Sequence, residues 1–455
     1  MRLLSGTGVL GYGFESEWLT PERTGDLSFV GNDGGSTDNG PYHLGSGLPF
    51  GSRAAVQRDL TALLDVSASH QAPLVIGTCG GSGTNTQIDW LFDIVRDDAR
   101  LRGRRLKIAL IRTELGPDRL EEALAEGLVT PLDGVPELST DTVRASERLV
   151  AMMGVEPIMA ALRSGADVVL AGRCSDAAIF AAGPILAGED PAMAWYAGKL
   201  LECGATCATP PGPDAVVAEL AGGELTVFPT NPARRCTVKS VMEMSLHENA
   251  DPFLHRESSG TLDLTHLQLA EIALGRVRAS GAVFHPAKAS TVKVEGVRKV
   301  GHRFFGLAAT RDPRLVAILD PYLETVEERW RRRLAAMGID RDACQLFIRS
   351  YGRNGVLGQL EFASLTLGHE VACLYEVIAE TAEIASAGAA AYRSLLLHTD
   401  FAGRQCTEGN FAFPFSPSEF DGGEAFEFSV WHSMRVADPL ALFDIEYRTV
   451  SENSE

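Results

Sequence analysis

Nowhere in its 455 residues does the chain carry an uninterrupted apolar run of the roughly 18 residues that a membrane-spanning helix needs. The first residues, MRLLSGTGVLGYG, lack the charged, then apolar, then small-residue pattern of a secretory leader. Neither a membrane span nor secretion is expected, and the expected location is cytoplasmic. Basic residues are scarce: 41 Lys and Arg stand against 60 Asp and Glu, for a formal charge of −19. A field of that sign repels nucleic acid and anionic membranes, so neither is an expected partner. The eight cysteines, at 79, 174, 203, 207, 236, 344, 373 and 406, include no C-x-x-C pair. They read as reduced thiols rather than a zinc site, redox site or disulfide framework. Also missing is a G-x-S-x-G elbow, which removes support for a hydrolase triad, and the glycine-rich run Gly77–Asn85 matches neither G-x-G-x-x-G nor the P-loop, whose lysine it lacks.

What is present is length and alternation. A chain this long with 45% hydrophobic residues exceeds one ordinary core, so two domains are expected. Strand-like runs occur at Arg2–Leu4, Leu27–Gly31, Leu74–Gly77, Leu106–Ile111 and Ala166–Ala171. Helical stretches lie at Ser52–Ala68, Gln87–Arg102 and Asp176–Leu186. Continuous apolar strands alternating with helices predict an α/β fold, a parallel sheet with helices on both faces, over residues 1–210. After the Pro-rich break Ala208–Pro213 the character changes. Strands are expected at Thr291–Glu295, Arg303–Thr310, Cys344–Ser350, Val371–Ile378 and Ala425–Val436, with helices near Pro313–Met337 and Ala382–Leu397. That order predicts a second, α+β domain over 211–455. Asn231–Thr265 lacks periodicity and reads as a long ordered connection.

In an open parallel sheet, ligands bind beyond the carboxyl ends of the strands, so the residues following each strand carry the functional question. Asp33 ends the second strand and is followed by Ser36, Thr37 and Asp38; these carboxylates suit a general base or a hard metal, or the capping of a turn. The run Gly77–Asn85 (GTCGGSGTN), with Gly80, Gly81 and Ser82, could present amides to an anion, or could be a tight turn needing glycine. Glu114 follows the fourth strand. Arg173 precedes Asp176 at a buried strand end, where a guanidinium could hold a carboxylate or phosphate, or pair internally with Asp33 or Glu114. Asp33, Asp176 and Glu114 are the candidate proton-transfer groups. Further candidate substrate-binding residues are Arg234, Arg235, Arg353, Asn354 and Arg404, arginines in irregular segments of an acidic chain. Cys203 and Cys236 read as buried inert thiols, since nothing near them in sequence depresses a thiol pKa.

Several segments carry a resemblance: GGSTDNGPY (34–42), MMGVEP (152–157), ADVVLAGR (166–173), LECGA (201–205), NPARRCT (231–237), ENADP (248–252), YGRNG (351–355) and GNFAFPFSP (409–417). In order along the chain, they resemble the acyclic terpene utilisation (AtuA) family. The resemblance implies a bacterial cytoplasmic protein of branched or terpenoid acid catabolism, acting on CoA thioesters, with a small companion subunit as partner. Residues and resemblance together predict a lyase, a hydratase/dehydratase or C–C lyase, acting on a carboxylated small molecule or its acyl-CoA ester. The alternatives are a carboxylate or acyl-CoA isomerase and a non-catalytic ligand-binding subunit. A homo-oligomer is expected; a divalent metal is an open cofactor, and CoA would enter as part of the substrate.

Overall fold

The computed structural model describes residues 1–132, 134–340, 342–362 and 368–451. They form two compact units, Met1–Arg298 with Phe428–Glu455, and Lys299–Glu427. The first unit is built on a ten-stranded sheet. At its centre, Arg2–Ser5, Phe29–Asp33, Leu74–Gly77, Val168–Ala171 and Leu106–Ile111 pair in parallel, in that spatial order. Ile445–Val450 closes one side antiparallel to Leu106–Ile111. On the other side Val216–Ala221 pairs antiparallel with Arg2–Ser5, followed by Glu224–Pro229, Arg276–Ser280 and Gln268–Ala273.

The apolar strands are buried on both faces because their alternate residues enter two separate cores. Leu4, Val30, Leu74, Ile76, Ile108, Leu110, Val168 and Leu170 pack under helices Arg53–His70 and Asn85–Leu101. Leu3, Phe29, Val75, Ala109, Val169 and Ala171 face Asp176–Ala187 and Pro191–Leu201. This is the α/β architecture that the continuous apolar runs predict. Residues 177–184 and 192–201 of these two helices are buried, and the helices approach so closely that a Cβ on Gly198 would lie 2.2 Å from the Ala177 carbonyl oxygen.

The division into units differs from the boundary at residue 210. The segment after the Pro-rich break returns into the first sheet, because Val216–Ala221 supplies hydrogen bonds to the otherwise open edge of Arg2–Ser5. Asn231–Thr265 is also not a plain connection. It contains helix Val238–Ser245 and strands Leu254–Glu257 and Gly260–Asp263, which join Val283–Pro286 in a small antiparallel sheet. Arg148–Met152 is a further strand, paired antiparallel with residues 293–297.

In the second unit, residues 302–310, Val371–Ala379 and Cys344–Tyr351 form antiparallel pairs. Helices Leu319–Ala336 and Ala382–His398 cover them, with Trp330, Tyr375 and Tyr392 fully buried. The Trp330 indole N–H donates to the Gly388 carbonyl at 2.8 Å, so its one polar atom is satisfied in the core. The helix expected near 313–337 is two, Pro313–Ala317 and Leu319–Ala336.

Candidate functional site

The carboxyl ends of the parallel strands gather polar side chains in a setting where water is largely excluded. Asp33 is the last residue of its strand and is 5% exposed. Beside it, the Asn32 amide oxygen accepts Thr7 N–H at 2.9 Å while its NH₂ donates to the Asp33 carbonyl at 2.7 Å, tying the first two strand-end loops together. Burial, then the charge of Asp176, pushes the Asp33 carboxyl well above its ordinary pKa; only the Gly35 N–H, at 3.2 Å, and Arg173 work the other way. Asp176 begins its helix and is also raised, by burial partly offset by Arg173. Its side chain keeps 36% of its surface open, while its Oδ1 is buried toward Arg173.

Arg173 lies between two carboxylates. Its Nε and Nη2 clasp Glu295 at 2.9 and 3.3 Å, while Nη1 faces Asp176 at 3.5 Å and the Cys174 carbonyl at 3.2 Å. Its partner is Glu295, not Asp33 or Glu114. The strand pairing explains this: Glu295 sits opposite Val150, and Met153 bridges to Cys174 directly after Arg173. Glu295 also receives Lys293 Nζ at 2.7 Å. Against the cost of complete burial, Arg173 and Lys293 draw its pKa down to about 2.

Sequence reasoning missed Lys199, Glu202, Glu257 and Glu295. Lys199 and Glu202, three apart at the end of helix Pro191–Leu201, bond at 2.6 Å. Burial raises Glu202 to about 7 even against Lys199. Glu257, from the small antiparallel sheet, accepts Ser175 Oγ at 2.8 Å, and burial raises it to about 8, with Glu202 and Asp176 adding to the rise. The i, i+3 spacing of Lys199 and Glu202 was a usable signal; Glu257 lay in the aperiodic segment and carried none.

Six amides of the loop Gly77–Asn85 are engaged within the protein. Thr78 N–H donates to Gly172, Gly81 to Thr78 and Gly83 to Cys79. Ser82 and Thr84 N–H both donate to Gln87 Oε1, and Asn85 N–H donates to Glu114 Oε1 at 2.7 Å. The anion at this helix N-terminus is thus Glu114 itself, further held by Arg148 at 3.5 Å. We therefore assign Glu114 to the helix N-terminus rather than to proton transfer. The loop's glycines serve close packing: Gly80 and Gly81 take φ of +72° and +105°, and a Cβ on Gly83 would fall 2.0 Å from Arg173 N. Thr78 holds a left-handed φ of +42°, and its hydroxyl contacts Cys174 N at 3.3 Å and Arg173 Nη1 at 3.5 Å. Backbone strain of this kind concentrates at functional sites.

Across residues 53–395 the chain matches the model of the acyclic terpene utilisation family protein AtuA. The chain belongs to the AtuA family. No curated protein and no solved structure matches it. Membership ties this AtuA-family chain to acyclic terpene catabolism without specifying a reaction. The match takes in Arg173, Asp176, Lys199, Glu202, Glu257 and Glu295, while Asp33 precedes it.

Other candidates of this AtuA-family chain fall in different places. Ser36 Oγ accepts Asp38 N–H, capping the short turn Thr37–Asn39; Thr37 is buried, and the Asp38 charge is felt at Asp176 and Lys293. Arg234 is held by Asp214 at 3.0 Å, and Arg235 is exposed. Arg353, Asn354 and Arg404 lie in the second unit. There Arg353 bonds Asp320 at 2.5 Å, Asn354 N–H bonds Ser350 O, and Arg404 bonds the His398 and Thr407 carbonyls. The thiols near Asp33 are unreactive: burial lifts Cys79 and Cys203 well up and Cys174 to about 12. Among the described residues no three His, Cys, Asp or Glu side chains group to hold a metal ion, and no helix is long and apolar enough to cross a membrane.

Proposed function

We propose that this AtuA-family chain is a lyase working by carboxyl acid–base chemistry on a carboxylated small molecule or its CoA ester. The observation that carries the reading is the gathering of Asp33, Asp176, Glu202 and Glu257, all pushed upward in pKa, at the carboxyl edge of one parallel sheet. Carboxyls whose environments drive their pKa values apart divide into acids and bases. Glu257, raised to about 8, holds its proton at neutral pH and suits the general acid. Asp33 and Asp176 repel each other, so one gives up its proton before the other and suits the base. In the elimination direction, the ionised member of the Asp33–Asp176 pair takes the proton from the carbon next to the substrate carbonyl, while the other keeps its own. A double bond forms, and the departing hydroxyl leaves as water with the Glu257 proton. Lys199, bound to Glu202 at 2.6 Å, balances part of the cluster's negative charge. Arg173 is a positioning residue, since Glu295 occupies its fork.

The test incubates the purified chain in D₂O with branched 3-hydroxy and 2-enoyl acids and their CoA esters. Expected are interconversion by loss or gain of water and deuterium at the carbon next to the carbonyl, both lost in Asp33→Asn. Binding of these compounds without any exchange, in parent and variant alike, would overturn the lyase reading in favour of a ligand-binding subunit.

A further inference from the structure

The first unit contains a second polar feature that the carboxyl cluster does not use. A cavity of about 620 Å³ is lined by four arginines, Arg23, Arg234, Arg235 and Arg276, and Glu22 is the one carboxylate among its described lining residues. In a chain with a formal charge of −19, such a concentration of guanidinium is a local reversal of sign. Two of the four are committed within the protein. Arg234 bonds the buried Asp214 at 3.0 Å, and Arg23 Nη1 donates to the Thr230 carbonyl at 3.1 Å. The other two are not. Arg235 is exposed and makes no side-chain ion pair or hydrogen bond among the described residues. The guanidinium carbon of Arg276 sits over the Phe228 ring, 3.6 Å from its centre, and its nitrogens make no hydrogen bond or ion pair among the described residues. An arginine stacked on an aromatic ring is preorganised: its plane is fixed, and its donors and free face remain for a ligand.

Two uncommitted forks, with the charges of Arg23 and Arg234 behind them, suit several phosphate oxygens better than a single carboxylate, since a guanidinium can meet phosphate bidentately. The volume lies within the range of small-molecule sites and exceeds what one inorganic anion fills. The free face of Arg276 offers a stacking surface for a planar base. The cavity is also joined to the carboxyl cluster by a short piece of chain. Asp214, which holds Arg234, accepts Ala205 N–H at 2.9 Å through its carbonyl, and Ala205 follows Glu202 by three residues.

We propose that this cavity binds the pyrophosphate of a nucleotide, with Arg235 and Arg276 as its principal donors. The nucleotide is either free, as in ADP, or the handle of a thioester, as in CoA. In the second case the cavity rests on the function proposed above and deepens it, making the substrate a CoA ester rather than a free acid.

Calorimetry on the purified full chain tests this directly, with CoA, ADP, inorganic pyrophosphate and citrate as probes. CoA and ADP bind, and Arg235→Ala and Arg276→Ala each weaken them about tenfold or more, as loss of a charge-assisted hydrogen bond of about 1.5–3 kcal/mol requires. Arg276→Lys, which keeps charge but not the stacked fork, recovers only part of the affinity. Tighter binding of CoA than of ADP assigns the thioester handle; equal binding assigns a free nucleotide. Failure of both to bind, equal affinity for citrate, or unchanged affinity in folded Arg235→Ala and Arg276→Ala would overturn the assignment. Binding is read without turnover. Its failure therefore leaves deuterium exchange on the free acids to judge the acid–base reading, and loss of exchange in Asp33→Asn leaves nucleotide binding intact.

Discussion

Glu295 and the group of Asp33, Asp176, Glu202 and Glu257 have opposite electrostatics. Glu295 is fully enclosed, yet it meets Arg173 and Lys293 together and stays ionised far below the ordinary range. Asp33 and Glu202 are buried and Asp176 and Glu257 partly so, with too little positive charge among them, and all four hold their protons more tightly than usual. Burial alone therefore does not distinguish a structural carboxylate from a reactive one; the count of opposing charges does. Glu295 braces the site, and the other four supply groups that can change protonation near neutral pH.

The contrast breaks most severely at Asp33. Asp33→Asn retains shape and lowers turnover by about a hundredfold to ten-thousandfold if the carboxyl moves a proton. Its stability at neutral pH is unchanged or higher, because a poorly compensated carboxyl is gone. Measured together, turnover and melting temperature decide it; an active, unaltered Asp33→Asn removes this residue from the mechanism.

Glu295→Ala is expected to show the reverse pattern, with stability suffering first. It leaves Arg173 buried without its principal partner, a loss of about 3–5 kcal/mol in urea unfolding. A loss under about 1 kcal/mol would mean that Asp176 neutralises Arg173 by itself, and the bracing role would fail.

The two sets also respond to pH in opposite directions. Glu295, lowered to about 2 in the folded state, stabilises the protein above the unfolded carboxyl range of about 4.5, and that contribution disappears as pH falls toward 2. Glu257, raised to about 8, contributes stability below about 4.5 that is lost as pH rises to 8. Glu257→Gln should flatten the decline between those limits by about 1–2 kcal/mol, short of the full shift because Glu257 keeps part of its surface open. Unfolding measured across that pH window in parent and variant checks the sign.

The smallest effect is expected at Ser175→Ala, which deletes the hydroxyl donated to Glu257. About 1 kcal/mol or less of stability is lost, and the apparent upper pKa of the cluster moves higher, since the bond favours the ionised form. An unmoved titration would show that Glu257 does not dominate that ionisation.

The amino-acid sequence by itself determined the parallel core. Runs such as LVIG at 74–77 and ADVVLA at 166–171 are apolar on both faces, and only a sheet covered on both sides can bury them. It also determined that Asp33, Arg173 and Asp176 stand at strand ends, because a strand-end position follows from chain order alone. Tertiary structure decided which charges meet. Glu295 reaches Arg173 over 122 positions of sequence, and Glu257 reaches Ser175 over 82. Such contacts depend on strand register and on a small sheet folded from an aperiodic segment, and neither leaves a local pattern. The same holds for Glu114, which reads as a strand-end acid but spends its carboxylate on the N-terminus of a neighbouring helix. A side chain's position follows from local periodicity, whereas its protonation depends on the charges and solvent that long-range packing places around it.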